Sequence, residues 1–225
     1  MTRFDPSAVR AVVFDLDGTL LDSYAAIHES LNSVLRAFGR PEMTLGETRT
    51  RVGYGLEALI AGCLGPQDVA EGVRLFRESY ERAGPESSSL LPGADEVTRA
   101  LAARGLPLAI ASNKPAVFSR QILSRLGIAD RFAVIAGPDD GFPPKPAPHM
   151  VLVALATMGA KASESLFVGD MPIDVATARA AGMPVAVLPT GSATRAELEA
   201  VSPDLLLPGL SDLMQLLDAK AGQGD

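Results

Sequence analysis

The stretch Val12–Leu20, which reads VVFDLDGTL, decides the architecture of this chain. A short apolar run delivers two aspartates, Asp15 and Asp17, onto a turn made by Gly18. At the carboxyl end of a strand the chain is already leaving the sheet, so both carboxylates can reach one pocket at the sheet edge, where open α/β sheets bind their ligands. Two carboxylates in one pocket repel each other unless a cation lies between them. The pattern therefore favours a phosphoryl-transfer site built on aspartate.

An Asp-x-Asp-Gly run also occurs in calcium-binding loops, and Asp-Gly alone is a common turn. A calcium loop of the helix–loop–helix kind needs a glutamate at its twelfth position, which is Ala26 when counted from Asp15. Such a loop would also lie between helices, whereas this run follows a β-branched strand. The catalytic interpretation is therefore favoured over the structural ones.

Composition excludes several classes of protein. The chain has 225 residues, of which 47% are hydrophobic and 21% charged, as in ordinary globular proteins. Its formal net charge of −7 argues against a nucleic-acid surface. Cys63 is the only cysteine, which excludes an intrachain disulfide, and no apolar stretch reaches the length of a membrane span. The N-terminus lacks the apolar core of a signal peptide. We expect a cytoplasmic monomer or homodimer that binds neither nucleic acid nor membrane.

Apolar runs alternate with helical patterns along most of the chain. The predicted strands are Val9–Asp15, Pro107–Ser112, Phe132–Ala136, Ser165–Asp170, Pro184–Leu188 and, more weakly, Asp204–Leu207. The predicted helices between them are Ala94–Arg104, Val117–Leu126, Val151–Met158 and Val175–Ala181. This alternation predicts an α/β fold with a doubly wound parallel sheet.

Residues 21–89 interrupt that alternation. They contain one helical face with regular apolar spacing, formed by Ile27, Leu31, Val34, Leu35 and Phe38, and two further amphipathic segments, Leu56–Leu64 and residues 67–82. No strand is predicted between Ser23 and Ser89. We therefore expect an all-helical cap over residues 21–89, inserted into a core of residues 1–20 and 90–225. Because it follows the first strand directly, this cap should lie over the site as a lid.

Two further motifs end in groups that suit a phosphate. Ser112 and Asn113 follow a predicted strand and precede a helix, where a hydroxyl, an amide and backbone N–H groups can hold an oxyanion. They can equally be simple helix caps. Lys145 lies among four prolines, and its ammonium would offset the negative charge of a phosphate held beside aspartates. Most lysines are solvated surface charges, but rigid flanks on both sides are unusual for one.

The fourth motif is a second acidic strand end. Asp170 follows an apolar strand, and Asp174 comes four residues later at a helix start. Magnesium prefers oxygen ligands and uses few carboxylates together with water. Asp170 could complete a metal site begun by Asp15 and the backbone carbonyl of Asp17, with Asp174 as a ligand or as a holder of bound water. An acid in a first helical turn is also favourable without any metal.

Together these motifs resemble those of the haloacid dehalogenase-like hydrolase superfamily, over nearly the whole chain and including the cap. The resemblance extends to its phosphoglycolate phosphatase-like branch through Asp22-Ser23, Leu91-Pro92-Gly93 and the cap segment from Arg51 to Leu56. It implies a Rossmann-like core, Mg²⁺ as cofactor and a small phosphorylated metabolite as substrate. Met171-Pro172 departs from the family pattern, which often has a small polar residue after the acid.

The resemblance implies that Asp15 is the nucleophile, that Lys145 stabilises charge, and that Asp17 protonates the leaving alkoxide and then activates water. Dehalogenases of this family lack an acid at the place of Asp17, since a halide leaves without a proton, so a phosphatase is indicated. Substrate choice is expected to lie with the cap, which holds seven arginines and no lysine. Arg49 or Arg51 could pair a substrate carboxylate, as phosphoglycolate would need, and Tyr54 lies beside them. Each of these side chains could instead be ordinary surface or packing.

Several alternatives share these motifs. A phosphomutase of the β-phosphoglucomutase kind has all four, although Thr19 argues against it because those mutases tend to have an apolar residue there. Pyrophosphate, a nucleoside monophosphate or a sugar phosphate remain open as substrates. A receiver-like regulatory module also takes phosphate on an aspartate, but the helical insertion and Asp17 are unexpected in it.

Overall fold

The computed structural model describes residues 5–83 and 86–218. Its centre is a parallel sheet of six strands in the order β5-β4-β1-β6-β7-β8. These strands are β1 (Ala11–Phe14), β4 (Leu108–Ala111), β5 (Phe132–Ala136), β6 (Ser165–Gly169), β7 (Val185–Val187) and β8 (Leu205–Leu206). The six strands correspond to the six predicted. β5 has the predicted bounds, and the other five are shorter by one or two residues at one or both ends. The ends of the predicted core at residues 1–4 and 219–225 lie outside the described residues.

Helices cover both faces of this sheet. They are α5 (Ala94–Ala103), α6 (Ala116–Arg125), α7 (His149–Met158), α8 (Pro172–Ala181), α9 (Arg195–Ala200) and α10 (Leu210–Asp218). Val12 and Phe14 of β1 pack in a cluster with residues of α5, α6 and α10, whereas Val13 packs with residues of α7, α8 and α9. Because side chains alternate along a strand, one apolar run serves both layers. The predicted doubly wound α/β core is confirmed.

The register of β1 places the motifs side by side. Phe14 is paired with Ile110 of β4 and with Val168 of β6. All four residues of β1 are fully buried, which fixes this strand at the centre of the core. Parallel strands end at the same edge of a sheet, so Asp15, Ser112 and Asp170 emerge there as neighbours.

The insertion after β1 is helical, as predicted, and consists of α1 (Tyr24–Ala37), α2 (Leu45–Arg49), α3 (Leu56–Leu64) and α4 (Val69–Ala83). It begins and ends in a small ribbon that sequence analysis missed, in which β2 (Leu21–Asp22) pairs antiparallel with β3 (Ser89–Leu90). The expectation of no strand up to Ser89 was therefore wrong at its edge. Two-residue strands have too few positions to show an alternation.

Three short helices were also missed. The five-residue α2 and the six-residue α9 each begin with a capping box, Thr44 with Glu47 and Thr194 with Glu197. This Thr-x-x-Glu pattern was present in the sequence and could have located both helices. The apolar residues of α10 that reach the core, Leu210 and Leu213, could have located the third. No helix among the described residues is both long enough and apolar enough to cross a membrane.

Candidate active site

Asp15 leaves β1 with its carboxylate beside Lys145. Its backbone N–H donates to the carbonyl of Val168, which continues the sheet pairing by one residue. Lys145 Nζ lies 2.8 Å from Asp15 Oδ1, and the lysine side chain is 1% exposed. No other described residue donates to Asp15 Oδ1. This buried carboxylate oxygen is therefore held against one positive charge and is otherwise without a partner among the described residues.

Asp174 holds the other side of the same lysine. Its Oδ1 accepts a hydrogen bond of 2.7 Å from Lys145 Nζ, while its Oδ2 accepts from the backbone N–H groups of Asp170 (3.1 Å) and Met171 (3.0 Å). Asp174 lies in the first turn of α8, where an acid interacts favourably with the helix dipole. It packs over Gly169 so closely that a Cβ there would lie 2.4 Å from its carboxyl carbon. Asp174 thus orients Lys145 towards Asp15.

Asp170 is fixed by two donors in a tightly closed space. Thr19 Oγ1 donates to Asp170 Oδ1 at 3.0 Å, and the backbone N–H of Ser192 donates to Oδ2 at 3.1 Å. A Cβ on Gly18 or Gly191 would lie 2.6 or 1.7 Å from Oδ2, and Gly18 also has a φ of +84°, so glycine is required there. These two hydrogen bonds and the close packing of Gly18 and Gly191 hold the side chain of Asp170 in one conformation.

Three buried carboxylates are thereby brought together. Oxygens of Asp15, Asp170 and Asp174 lie within 4.8 Å of one another, and all three residues are buried. Burial, together with repulsion from Asp174 and Asp15, raises the pKa of Asp170 well above its usual value. Burial also raises the pKa of Asp174, to about 6, although Lys145 opposes the shift. The cluster is short of positive charge, and its oxygen ligands fit a divalent cation.

Asp17, which is partly buried, forms a second ion pair with the buried Lys114, which the sequence reasoning did not assign. Lys114 Nζ lies 3.0 Å from Asp17 Oδ2 and 3.1 Å from Oδ1, and the hydroxyl of Ser23 donates to Oδ1 at 2.5 Å. Burial lowers the pKa of Lys114, but Asp17 outweighs it, so the net pKa is raised. Lys114 directly follows Ser112 and Asn113 at a strand end, and that position was the signal that could have identified it.

The two residues of the second motif, Ser112 and Asn113, have different roles. Ser112 is buried at the site, and its Oγ accepts the backbone N–H of Lys114 at 3.3 Å. The side chain of Asn113 is committed to backbone: Oδ1 accepts from Lys145 N–H at 2.7 Å, and Nδ2 donates to the carbonyls of Gly53 and Lys145. Asn113 therefore ties the lysine loop to the cap. Phosphate binding by Ser112 and Asn113 stays a prediction, for which Asn113 would have its backbone N–H.

A cavity of about 60 Å³ lies between the strand ends and the cap. Its core side is formed by Asp15, Asp17 and Lys114 together with neighbours in the second motif. Apolar cap residues close it from above, namely Ile27, Val52, Leu56, Leu59 and Phe76, with Tyr80 beside them. Both predicted catalytic aspartates therefore face one partly open space under the helices.

The cap residues predicted to choose the substrate lie elsewhere. The Arg49 guanidinium donates to the carbonyls of Thr190 (2.8 Å) and Gly191 (3.1 Å) and stacks on the ring of Tyr24. Arg51 is exposed and donates to a carbonyl of its own helix turn. Tyr54 is 54% exposed on an outer groove. None of the three lines the cavity, so their specificity role stays a prediction without support from this arrangement.

The cap and the core also meet at Met171, the residue that departs from the family pattern. A Cβ on Gly53 would lie 2.0 Å from Met171 Sδ, and Gly53 has a φ of +121°. The buried thioether therefore packs directly on the cap backbone. The departure at Met171 contributes to the contact with the cap.

The chain belongs to the haloacid dehalogenase-like hydrolase family, whose model matches residues 12–188. The predicted resemblance is confirmed, including its phosphoglycolate phosphatase-like branch. The chain is 36% identical over 221 residues to a phosphoglycolate phosphatase of Yersinia pseudotuberculosis, covering 95% of this chain and 94% of the relative. It is 32% identical over 243 residues to that of Escherichia coli K12, covering 96% and 95%.

A solved structure has a similar fold over most of the chain. The crystal structure of a predicted phosphoglycolate phosphatase from Haemophilus somnus superimposes with a TM-score of 0.86 at 27% sequence identity. The match covers 93% of this chain and 98% of that one. Core and helical insertion are thus shared with that protein.

Proposed function

We propose that this protein is a Mg²⁺-dependent phosphatase that hydrolyses a small phosphomonoester through an aspartyl-phosphate on Asp15, with phosphoglycolate as the preferred substrate. One observation carries the proposal: the buried Asp15 is held against Lys145 within a cluster of carboxylates. Family membership and the phosphatase relatives support the same reaction class.

In the first step a carboxylate oxygen of Asp15 attacks phosphorus, and the bond from phosphorus to the ester oxygen breaks. Asp17, whose carboxyl faces the same cavity, gives its proton to the departing alkoxide. In the second step Asp17 takes a proton from a water molecule as that water attacks the acyl phosphate, which restores Asp15 and releases phosphate. General acid–base catalysis of this kind supplies about 10²–10⁴-fold in rate.

Lys145 stabilises the negative charge of the phosphoryl group during both steps. Attack by a carboxylate on a phosphate brings two anions together, and the fixed ammonium lowers that repulsion. Because Asp174 holds Lys145 in place, little reorganisation is needed when charge develops. Ser112 and the backbone N–H groups after β4 would bind the remaining phosphate oxygens.

The residues that would hold Mg²⁺ are the carboxylates of Asp15 and Asp170 and the backbone carbonyl of Asp17. Asp174 has both oxygens engaged by hydrogen bonds and would support the site from behind. The cation would supply neutralisation of the phosphate and of the clustered carboxylates. The excess negative charge of this cluster supports that assignment.

The lining of the cavity supports a short leaving group. Its cap side is apolar and offers few hydrogen bonds to the hydroxyls of a nucleoside or a hexose, whereas a two-carbon acid needs fewer partners. The names of the relatives point to the same substrate.

The proposal includes a cytoplasmic enzyme that acts as a monomer or homodimer without nucleic acid or membrane. The net charge of −7 supports the lack of a nucleic-acid partner, and the single cysteine suits a reducing compartment.

The test is release of inorganic phosphate from a panel of phosphoglycolate, pyrophosphate, a sugar phosphate and a nucleoside monophosphate, with Mg²⁺ and after its chelation. We expect phosphoglycolate to be hydrolysed fastest and chelation to abolish release. Asp15→Asn is the matched control, since it removes the nucleophile at constant size. Isomer formation from the sugar phosphate without free phosphate would indicate a mutase, and a stable phosphoprotein without turnover would indicate a receiver-like module.

A further inference from the structure

We propose that Lys114 and the hydroxyl of Tyr80 bind a carboxylate on the leaving group, and so select short, carboxylate-bearing phosphomonoesters. This inference deepens the proposed function and rests on it. It transfers the role predicted for the cap arginines to a lysine of the core.

Lys114 is the one cation among the residues that line the cavity in the described chain. Arg49 is engaged by carbonyls of the core, and Arg51 lies outside the cavity. A carboxylate that enters this space with the leaving group therefore has one positive partner. Since buried charges must be paired, a ligand of that kind has to approach Lys114.

The ammonium of Lys114 lies between Asp17 and Tyr80. It carries three N–H donors, of which the contacts with the two oxygens of Asp17 account for two, and the remaining side of the ammonium faces the Tyr80 hydroxyl, where a ligand carboxylate would meet both groups. The ammonium also lies 4.6 Å from the centre of the Tyr80 ring, where the electron-rich face stabilises a cation. Because Asp17 is the proposed proton donor, Lys114 is placed at the leaving-group side of the scissile bond.

Tyr80 presents a second donor without a partner. The residue is 1% exposed, and its hydroxyl oxygen interacts with the ammonium of Lys114, while the hydroxyl proton has no acceptor among the described residues. The ring is held between Phe76, with centroids 5.5 Å apart, and Phe118, with centroids 4.9 Å apart. A buried phenol left unpaired costs stability, and a carboxylate oxygen would satisfy it.

The remaining walls favour this chemistry over its competitors. Ile27, Leu56 and Leu59 offer no hydrogen bonds, so the several hydroxyls of a sugar would be buried without partners. The same apolar walls strengthen the attraction between a carboxylate and Lys114 by lowering the local dielectric. These walls therefore favour a short acid as the leaving group.

The experiment compares phosphoglycolate with ethyl phosphate, which has the same chain length and no carboxylate. The measured quantity is the ratio of their kcat/KM values. Lys114→Met should lower this ratio about 100-fold and Tyr80→Phe about 10-fold, as expected for losing an ion pair and a charged hydrogen bond. Lys114→Arg should retain part of the ratio. Lys161→Met, which changes an exposed lysine, is the matched control.

The outcomes distinguish a carboxylate-binding role of Lys114 from an effect of Lys114 on Asp17. Equal losses on both substrates in Lys114→Met, with the ratio unchanged, would overturn the inference, because Lys114 would then act only on the catalytic acid. An unchanged ratio of the kcat/KM values in Tyr80→Phe would show that Tyr80 does not bind the carboxylate.

A binding measurement separates this inference from the proposed function. In an Asp15→Asn background, calorimetry should show phosphoglycolate binding that Lys114→Met weakens and ethyl phosphate binding that it affects far less. Such a result supports the carboxylate site even if the active protein released phosphate from neither compound, which would refute the proposed function alone. Equal affinities for both compounds would overturn the carboxylate site while leaving a phosphatase possible.

Discussion

Lys145 and Asp174 form a hydrogen-bonded ion pair of 2.7 Å in which both side chains are at most 1% exposed. The lysine arrives from a proline-rich loop and the aspartate from the first turn of α8. Their contact joins two elements of the core directly behind the nucleophile. The pair therefore contributes both to the fold and to the chemistry.

Lys145→Met should lower the free energy of unfolding by about 3–5 kcal/mol, because it leaves buried carboxylates without their cation. Mg²⁺ should reduce that loss by supplying positive charge to the same cluster. Urea denaturation with and without Mg²⁺ measures both effects. Lys161→Met, at a lysine with a side chain 76% exposed, should leave the curve unchanged. A Lys145 variant as stable as the parent would contradict this account of the pair.

Asp170→Asn should raise the stability of the metal-free protein by about 1–2 kcal/mol while abolishing phosphate release. The change removes one of three repelling carboxylates, and the amide can still accept from Ser192 N–H and donate to Thr19 Oγ1. The variant should also lose stabilisation by Mg²⁺, which thermal unfolding over a Mg²⁺ series records. Undiminished stabilisation by Mg²⁺ would place the metal away from Asp170.

Asp17→Asn should slow the reaction of substrates with a poor leaving group much more than that of substrates with a good one. Hydrolysis of phosphoglycolate should fall by about 10²–10⁴-fold, since the alkoxide needs a proton. Acetyl phosphate, whose acetate leaves without one, should still phosphorylate Asp15, and the phosphoprotein should accumulate because water is no longer activated. Rapid-quench kinetics with intact-mass measurement detects it. Asp130→Asn, at an exposed aspartate, is the control. Equal losses on both substrates would argue against Asp17 as the acid.

Gly53→Ala should disturb the contact between cap and core. The added Cβ would meet Met171 Sδ in a backbone conformation that disfavours side chains, at a cost of about 1–3 kcal/mol. We expect a higher KM for phosphoglycolate, with partial recovery in a Gly53→Ala, Met171→Ala double variant. Gly62→Ala, in α3 with nothing within 4 Å of its new Cβ, should be neutral or stabilising. No recovery in the double variant would show that strain at residue 53 alone causes the effect.

The core could be predicted from the sequence because its signals are local and repeated. Buried parallel strands appear as apolar runs, and each motif acid stands at the end of one. Lys114 could not be assigned a role in this way, since its partner Asp17 is 97 positions away along the chain. The position of Arg49 depends on where α2 meets the loop after β7, which no local pattern encodes. The capping boxes of α2 and α9 were readable and were overlooked.

The pairing of Leu21 with Leu90 means that the chain leaves the core and returns to it at one point. This two-stranded stem is the covalent link between the four helices and the core. Helices of another size or composition could be grafted onto it without changing the register of β1, provided that Ser23, which donates to Asp17, is kept beside the stem. Substrate range in such a protein can diverge while the hydrolytic chemistry is inherited intact.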